Sequence, residues 1–147
     1  MITFRDLIVG AIAAGATLGA VALANSPAQA LPASMFDWNT IPAQKTDVGV
    51  VRQFFRAPTA TLDELELHVT TLNPGATSHA PHKHPNEELV IVKEGTVEAL
   101  VNGQLQRAGP GSVIFNASNV LHSIRNVGDG PATYHVINWK SPERVQK

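Results

Sequence analysis

The sequence predicts an all-β jelly roll, a small antiparallel barrel, on three observations. Apolar and polar residues alternate with period two through most of the chain after residue 47; Gly, Pro, Asn and Asp punctuate that alternation at regular spacing; and no helical period survives beyond the N-terminal leader. A chain of 147 residues holds one domain with a real core and has no room for two.

The elements follow in order. Arg5, an apolar run from Leu7 to Ala24 and the small-x-small triplet Ala28, Gln29, Ala30 read as a secretory signal peptide over residues 1–30, cleaved after Ala30. An uncleaved anchor is the alternative, weakened by Gly10, Gly15 and Gly19 within the run. The expectation is an exported, periplasmic body with no stable membrane insertion once the leader is removed. Residues 31–47 carry Pro32 and Pro42 and no sustained period, which predicts an arm whose Phe36 and Trp38 pack on the barrel or on a second subunit.

The barrel domain is read over 48–147. Its strands are expected at Val48 to Phe55, Glu64 to Leu72, Glu88 to Lys93, Thr96 to Val101, Gln104 to Arg107, Ser112 to Asn116, His122 to Asn126 and Ala132 to Trp139. In Glu64 to Leu72 the apolar set Leu65, Leu67 and Val69 alternates with Glu64, Glu66 and His68, the pattern of a half-buried strand. Asn102 and Gly103 between apolar runs predict a type I′ hairpin, because both central residues of that turn need positive φ.

Composition excludes several functions. Lys and Arg total 11 against 12 Asp and Glu, so there is no basic footprint for nucleic acid, and small neutral partners are expected. The absence of cysteine removes disulfides, thiolate ligands, iron–sulfur clusters and a Cys nucleophile. Chemistry must come from histidine, carboxylates or a metal.

One dense cluster offers all three. In GATSHAPHKHPNEELVIVKEG, residues 75–95, His82 and His84 lie two apart and share a face of an extended segment, and Glu88 joins them after a turn at Pro85 and Asn86. His122 follows in GSVIFNASNVLHSIRN, residues 111–126. Imidazole with carboxylate suits first-row transition metals better than calcium or magnesium. The alternative is a barrel that has no metal.

These two runs resemble the motifs of the cupin superfamily. The first motif reads Gly, five residues, His, one, His, three or four, Glu, six, Gly; Gly75, His82, His84, Glu88 and Gly95 fit, with six residues between Gly75 and His82. The second reads Gly, five, Pro, one, Gly, two, His, three, Asn; Gly111, His122 and Asn126 keep that register, with Ala117 in place of Pro and Asn119 in place of Gly. Asn tolerates the left-handed conformation a turn glycine supplies, so the second change is mild. The resemblance implies a cupin-type double-stranded β-helix in which His82, His84, Glu88 and His122 bind one divalent metal ion, Mn, Fe, Ni, Co, Cu or Zn, with two coordination positions left open. It also implies a homodimer, through residues 31–47 or an exposed strand edge. If metal is acquired after export, the Irving–Williams order favours copper and zinc.

The remaining polar residues are read more plainly. His79 is expected to be a solvated loop residue, Glu87 to face solvent, and His68 and His135 to be hydrogen-bonded on strands, with proton-shuttle work open to whichever points into the barrel. Arg125 and Asn126 are expected to orient the His122 segment. The glycosylation triplet Asn116, Ala117, Ser118 is discounted beside a ligand turn. Val90, Val92 and Ile124 share the ligand face, giving apolar walls, and Lys83 alternates away from the histidines, which disfavours a phosphorylated substrate. Two functions stay open: an enzyme acting on a small oxygenated molecule, with dioxygenase-like or isomerase- or lyase-like chemistry, and a non-catalytic module that captures a metal or small ligand.

Overall fold

The computed structural model describes residues 29–143. The predicted leader therefore lies outside the described residues except for its last two positions. Nine strands form among the described residues: β1 (Gln44–Thr46), β2 (Gly49–Ala57), β3 (Glu64–Leu72), β4 (Glu87–Glu94), β5 (Val97–Val101), β6 (Gln104–Ala108), β7 (Val113–Asn116), β8 (Ser123–Asn126) and β9 (Ala132–Lys140). All paired strands run antiparallel, in a six-stranded sheet ordered β1-β2-β3-β9-β4-β7 and a three-stranded sheet ordered β6-β5-β8. This is the expected all-β jelly roll. Among the described residues, no helix is long and apolar enough to cross a membrane.

The turns form where their chemistry demands. Asn102 and Gly103 sit at φ 50° and 77°, closing β5 onto β6 with Val101 opposite Gln104. Gly95 turns the chain between β4 and β5 at φ 79°, and a Cβ there would stand 2.6 Å from the Pro131 carbonyl oxygen. Only glycine fits that approach.

The core fills the space between the two sheets. Leu72, Val90, Val92, Val97, Ala99, Ile114, Ile124, Ala132, Tyr134 and Val136 form one buried cluster. Burial of each large aliphatic side chain stabilises the fold by roughly 1.5–3 kcal/mol. On β8, Asn126 is fully buried and acts as a clamp: its Nδ2 donates to the Leu72 and Gly130 carbonyls, and its Oδ1 accepts from the Gly128 N–H.

Three expectations need correction. The stretch read as an arm forms a short 3-10 turn at Trp38–Thr40 and then a strand, since Gln44–Thr46 pairs with the edge of β2. Its aromatic residues cover the outside of the large sheet: Phe36 lies 5.1 Å from Phe55, and the Arg52 guanidinium and Lys93 ammonium lie 4.7 and 5.2 Å from the centre of the Trp38 ring. On β3 the alternation is present, but its polar face carries His68 toward the interior cavity, while Leu65, Leu67 and Val69 point outward. Val69 is only 2% exposed yet lies outside the core cluster. Glu87 also departs from its reading: it is half-buried and accepts a 2.9 Å hydrogen bond from the Trp139 indole N–H, because Trp139 stands directly opposite on β9.

Candidate metal centre

Backbone pairing brings distant segments together at the histidines. His82 and His122, 40 positions apart in sequence, each donate a backbone N–H to the other's carbonyl, at 3.1 and 3.0 Å. The bridge is isolated, so the His82 and His84 segment is extended without belonging to a named strand. A second tie lies one turn away. The Asn119 N–H donates to the His84 carbonyl at 2.7 Å and the Ser118 hydroxyl to the Pro85 carbonyl at 2.6 Å. Asn119 adopts φ 59°, the left-handed conformation that asparagine tolerates in place of the motif's glycine.

The rings converge. Centroid separations are 4.5 Å for His82 and His122, 4.8 Å for His84 and His122, and 5.4 Å for His82 and His84. One ring nitrogen from each of the three lies within 4.8 Å of the other two. Glu88, the second residue of β4, lies beside them, with Oε2 at 3.6 Å from His84 Nε2 and Oε1 at 3.9 Å from His122 Nε2. Both separations exceed hydrogen-bond length.

The ring tautomers follow from the second nitrogen. His84 Nδ1 is 3.0 Å from the Asn86 carbonyl and His122 Nδ1 is 2.8 Å from the Val120 carbonyl. A carbonyl only accepts, so Nδ1 carries the proton in each neutral ring and Nε2 presents a lone pair. Those two Nε2 atoms, together with His82 Nδ1, are buried and have no hydrogen-bond partner. Orphaning a buried polar atom costs about 1–3 kcal/mol. Burial, and then the neighbouring histidines, hold His82 below the ordinary imidazole value, which favours the neutral, metal-binding form. Three unpartnered nitrogens beside a carboxylate are a donor set that fits a divalent transition metal.

Residues beyond the four shape the site. Asn116, paired with Glu88 across β7 and β4, donates from Nδ2 to Glu88 Oε1 at 2.9 Å. The sequence marks Asn116 only as a strand end and a glycosylation triplet; its period-two relation to Ile114 is the one cue that it faces inward. Arg125 donates from Nε to the Gly75 carbonyl and so ties β8 to the start of the first motif. His79 sits in its loop as expected and remains exposed, but its ring meets His82 edge-on at 4.0 Å, and burial of that ring lowers its pKa.

A cavity of about 60 Å³ opens beside the cluster, lined by Glu88, His122, His79, His68 and Tyr134 and by apolar residues that include Val90 and Val136. Burial pushes the Tyr134 phenol up to about 12, against the opposing pull of hydrogen bonding with Ser78 and Thr70. His135 takes no part, since it lies on the outer face opposite Ile91.

A family model described as Cupin domain matches residues 68–138, which span both motifs. The chain belongs to the cupin superfamily. Solved structures with the same fold serve different roles. The chain is similar to the cupin domain of an XRE family transcriptional regulator from Enterobacter cloacae (24% identity, 66% of this chain and 100% of that one, TM-score 0.56). It is similar to a predicted oxalate decarboxylase from Thermotoga maritima (19% identity, 73% and 99%, TM-score 0.60) and to the polyketide cyclase RemF from Streptomyces resistomycificus (16% identity, 79% and 87%, TM-score 0.59). At such identities the likeness speaks for the fold alone. No curated protein matches the chain.

Proposed function

We propose that this protein is an exported metal-dependent enzyme that holds one divalent ion through His82, His84, Glu88 and His122 and acts on a small oxygenated organic molecule. The observation that carries this reading is the set of three buried, unpartnered imidazole nitrogens beside a carboxylate. The ion is one of Mn, Fe, Ni, Co, Cu or Zn, and when bound it would polarise a ligand oxygen and stabilise charge developing there.

The chain's own residues supply the rest. Asn116 holds Glu88 Oε1, leaving Oε2 toward His84. Part of the wall is apolar, and the protonated Tyr134 phenol is a hydrogen-bond donor to a ligand in the cavity. The small volume favours a substrate of a few heavy atoms, because sites for larger ligands occupy roughly 300–1,000 Å³. Polar groups that include His68 and Tyr134 on the cavity wall support turnover over simple capture.

Export rests on the leader read at residues 1–30, and N-terminal sequencing of secreted protein should begin at Leu31. A homodimer is supported by the apolar outer face of the large sheet, where Val113 and Phe115 are 59% and 51% exposed; a monomer in light scattering removes that part of the reading. The function itself is tested by elemental analysis of protein from its native compartment, followed by oxygen-uptake and product screens against small diketones, phenols and hydroxy acids. Stoichiometric metal with turnover of one such class supports it; a metal-free protein that binds no added ion overturns it.

A further inference from the structure

A further titratable side chain, His68, faces the same cavity, with Glu66 beside it on the strand. On β3, Glu66 and His68 share a strand face, and His68 Nδ1 stands 3.1 Å from Glu66 Oε1. The other carboxylate oxygen, Oε2, lies 3.9 Å from Arg56 Nε, beyond hydrogen-bond length, while that N–H donates to Glu64 Oε2 at 2.9 Å. An ionised carboxylate only accepts, which makes Nδ1 the donor and leaves the lone pair of a neutral His68 on Nε2. The ring lines the cavity that Glu88 and His122 also line. Tyr134 faces that cavity from the neighbouring strand β9 and is an O–H donor, not an anion, at ordinary pH.

A base, an O–H donor and a place for an oxygen-binding ion therefore surround a space sized for a few heavy atoms. We propose that His68 Nε2 removes a proton from the carbon that bears the hydroxyl of a small α-hydroxy carbonyl compound, and that Glu66 is the positioning residue that keeps this lone pair available. The inference rests on the metal-centre reading, which provides the site for the compound's two oxygens.

The step balances without a redox partner. The C–H bond breaks, its electron pair forms a C=C bond, and the carbonyl π pair moves to oxygen, giving an enediolate with the proton on Nε2. Returning the proton to the same carbon restores the starting compound; delivering it to the neighbouring carbon, with the hydroxyl proton passing from the first oxygen to the second, gives the isomeric hydroxy carbonyl compound, and either return leaves His68 neutral.

Hydroxyacetone in D₂O with the zinc-loaded protein tests this, because loss of the CH₂OH proton signal in ¹H NMR reads proton removal directly, and zinc is redox-silent. The wild type should exchange faster than zinc alone. His68→Gln, with His68→Asn as the second variant, should keep one zinc per chain yet slow exchange by about 100-fold or more. Glu66→Gln should keep zinc and lower the maximal exchange rate without changing the half-saturating hydroxyacetone concentration. It should also shift the neutral His68 proton from Nδ1 toward Nε2 in ¹⁵N NMR. Wild-type rates in zinc-loaded His68 variants, or no exchange above free zinc by the loaded wild type, overturn the proposal and leave the metal centre standing. A wild type that binds no zinc instead overturns the reading beneath it.

Discussion

Asn116 donates from Nδ2 to Glu88 Oε1 at 2.9 Å, across the pairing of β7 with β4. The contact fixes the carboxylate's rotation while its other oxygen stands 3.6 Å from His84 Nε2. Loss of an orienting partner of a metal ligand commonly costs 10- to 100-fold in affinity. Asn116→Ala is therefore expected to weaken metal binding by about that factor while the fold persists, as checked by chelator competition beside circular dichroism.

Asn126 occupies no ligand position yet holds three backbone groups from inside the barrel. Asn126→Ala removes all three hydrogen bonds and leaves buried groups unpaired, at about 1–3 kcal/mol each where water cannot enter. A loss of about 2–4 kcal/mol is expected in urea unfolding of the metal-free protein. A change below about 0.5 kcal/mol would contradict the clamp.

Gly95 sits at φ 79° against the Pro131 carbonyl. Gly95→Ala must move the backbone of the β8–β9 connection or strain its own, and such strain costs about 1–3 kcal/mol. Denaturant midpoints of the two proteins measure it directly, and an unchanged midpoint would count against the close approach.

His135 lies on the outer face, away from the histidine cluster, and its pKa is lowered first by burial and then by the Lys93 charge. Above its ordinary value of 6.5 both folded and unfolded chains carry it neutral, so its contribution to stability is fully present. As pH falls below 6.5 the unfolded chain takes up the proton first, and that contribution is lost toward the lower folded value. The urea midpoint of metal-free wild type should therefore drop more between pH 7.5 and 5.5 than that of His135→Gln. Equal drops would refute the burial effect.

Much of this architecture was legible because strands announce themselves by alternation and turns by glycine and asparagine. The Asn102–Gly103 hairpin and the β3 span of Glu64 to Leu72 follow directly from those cues. Alternation does not say which face turns inward. On β3 the interior takes His68 and Thr70, while Leu65, Leu67 and Val69 lie on the outer side of the sheet, where other apolar surface including Phe36 packs. Nor does it reveal an edge strand such as Gln44–Thr46, whose exposed polar residues form a ladder only because β2 offers a free edge.

The candidate site was legible to a lesser degree. Ligand-type residues at a recurring spacing stand out one by one, and the structure brings His82, His84 and His122 together with Glu88 alongside. Their supports do not stand out. Asn116, Glu66 and the carbonyls of Asn86 and Val120 matter through register and loop geometry, neither of which a linear chain displays.

The most direct test is an anomalous-difference map from crystals of the protein loaded with a single divalent transition metal. A single strong peak is expected at roughly 2.0–2.2 Å from one nitrogen of each of His82, His84 and His122 and from an oxygen of Glu88. No peak there, or full occupancy at other side chains, would contradict a metal centre built from these four residues.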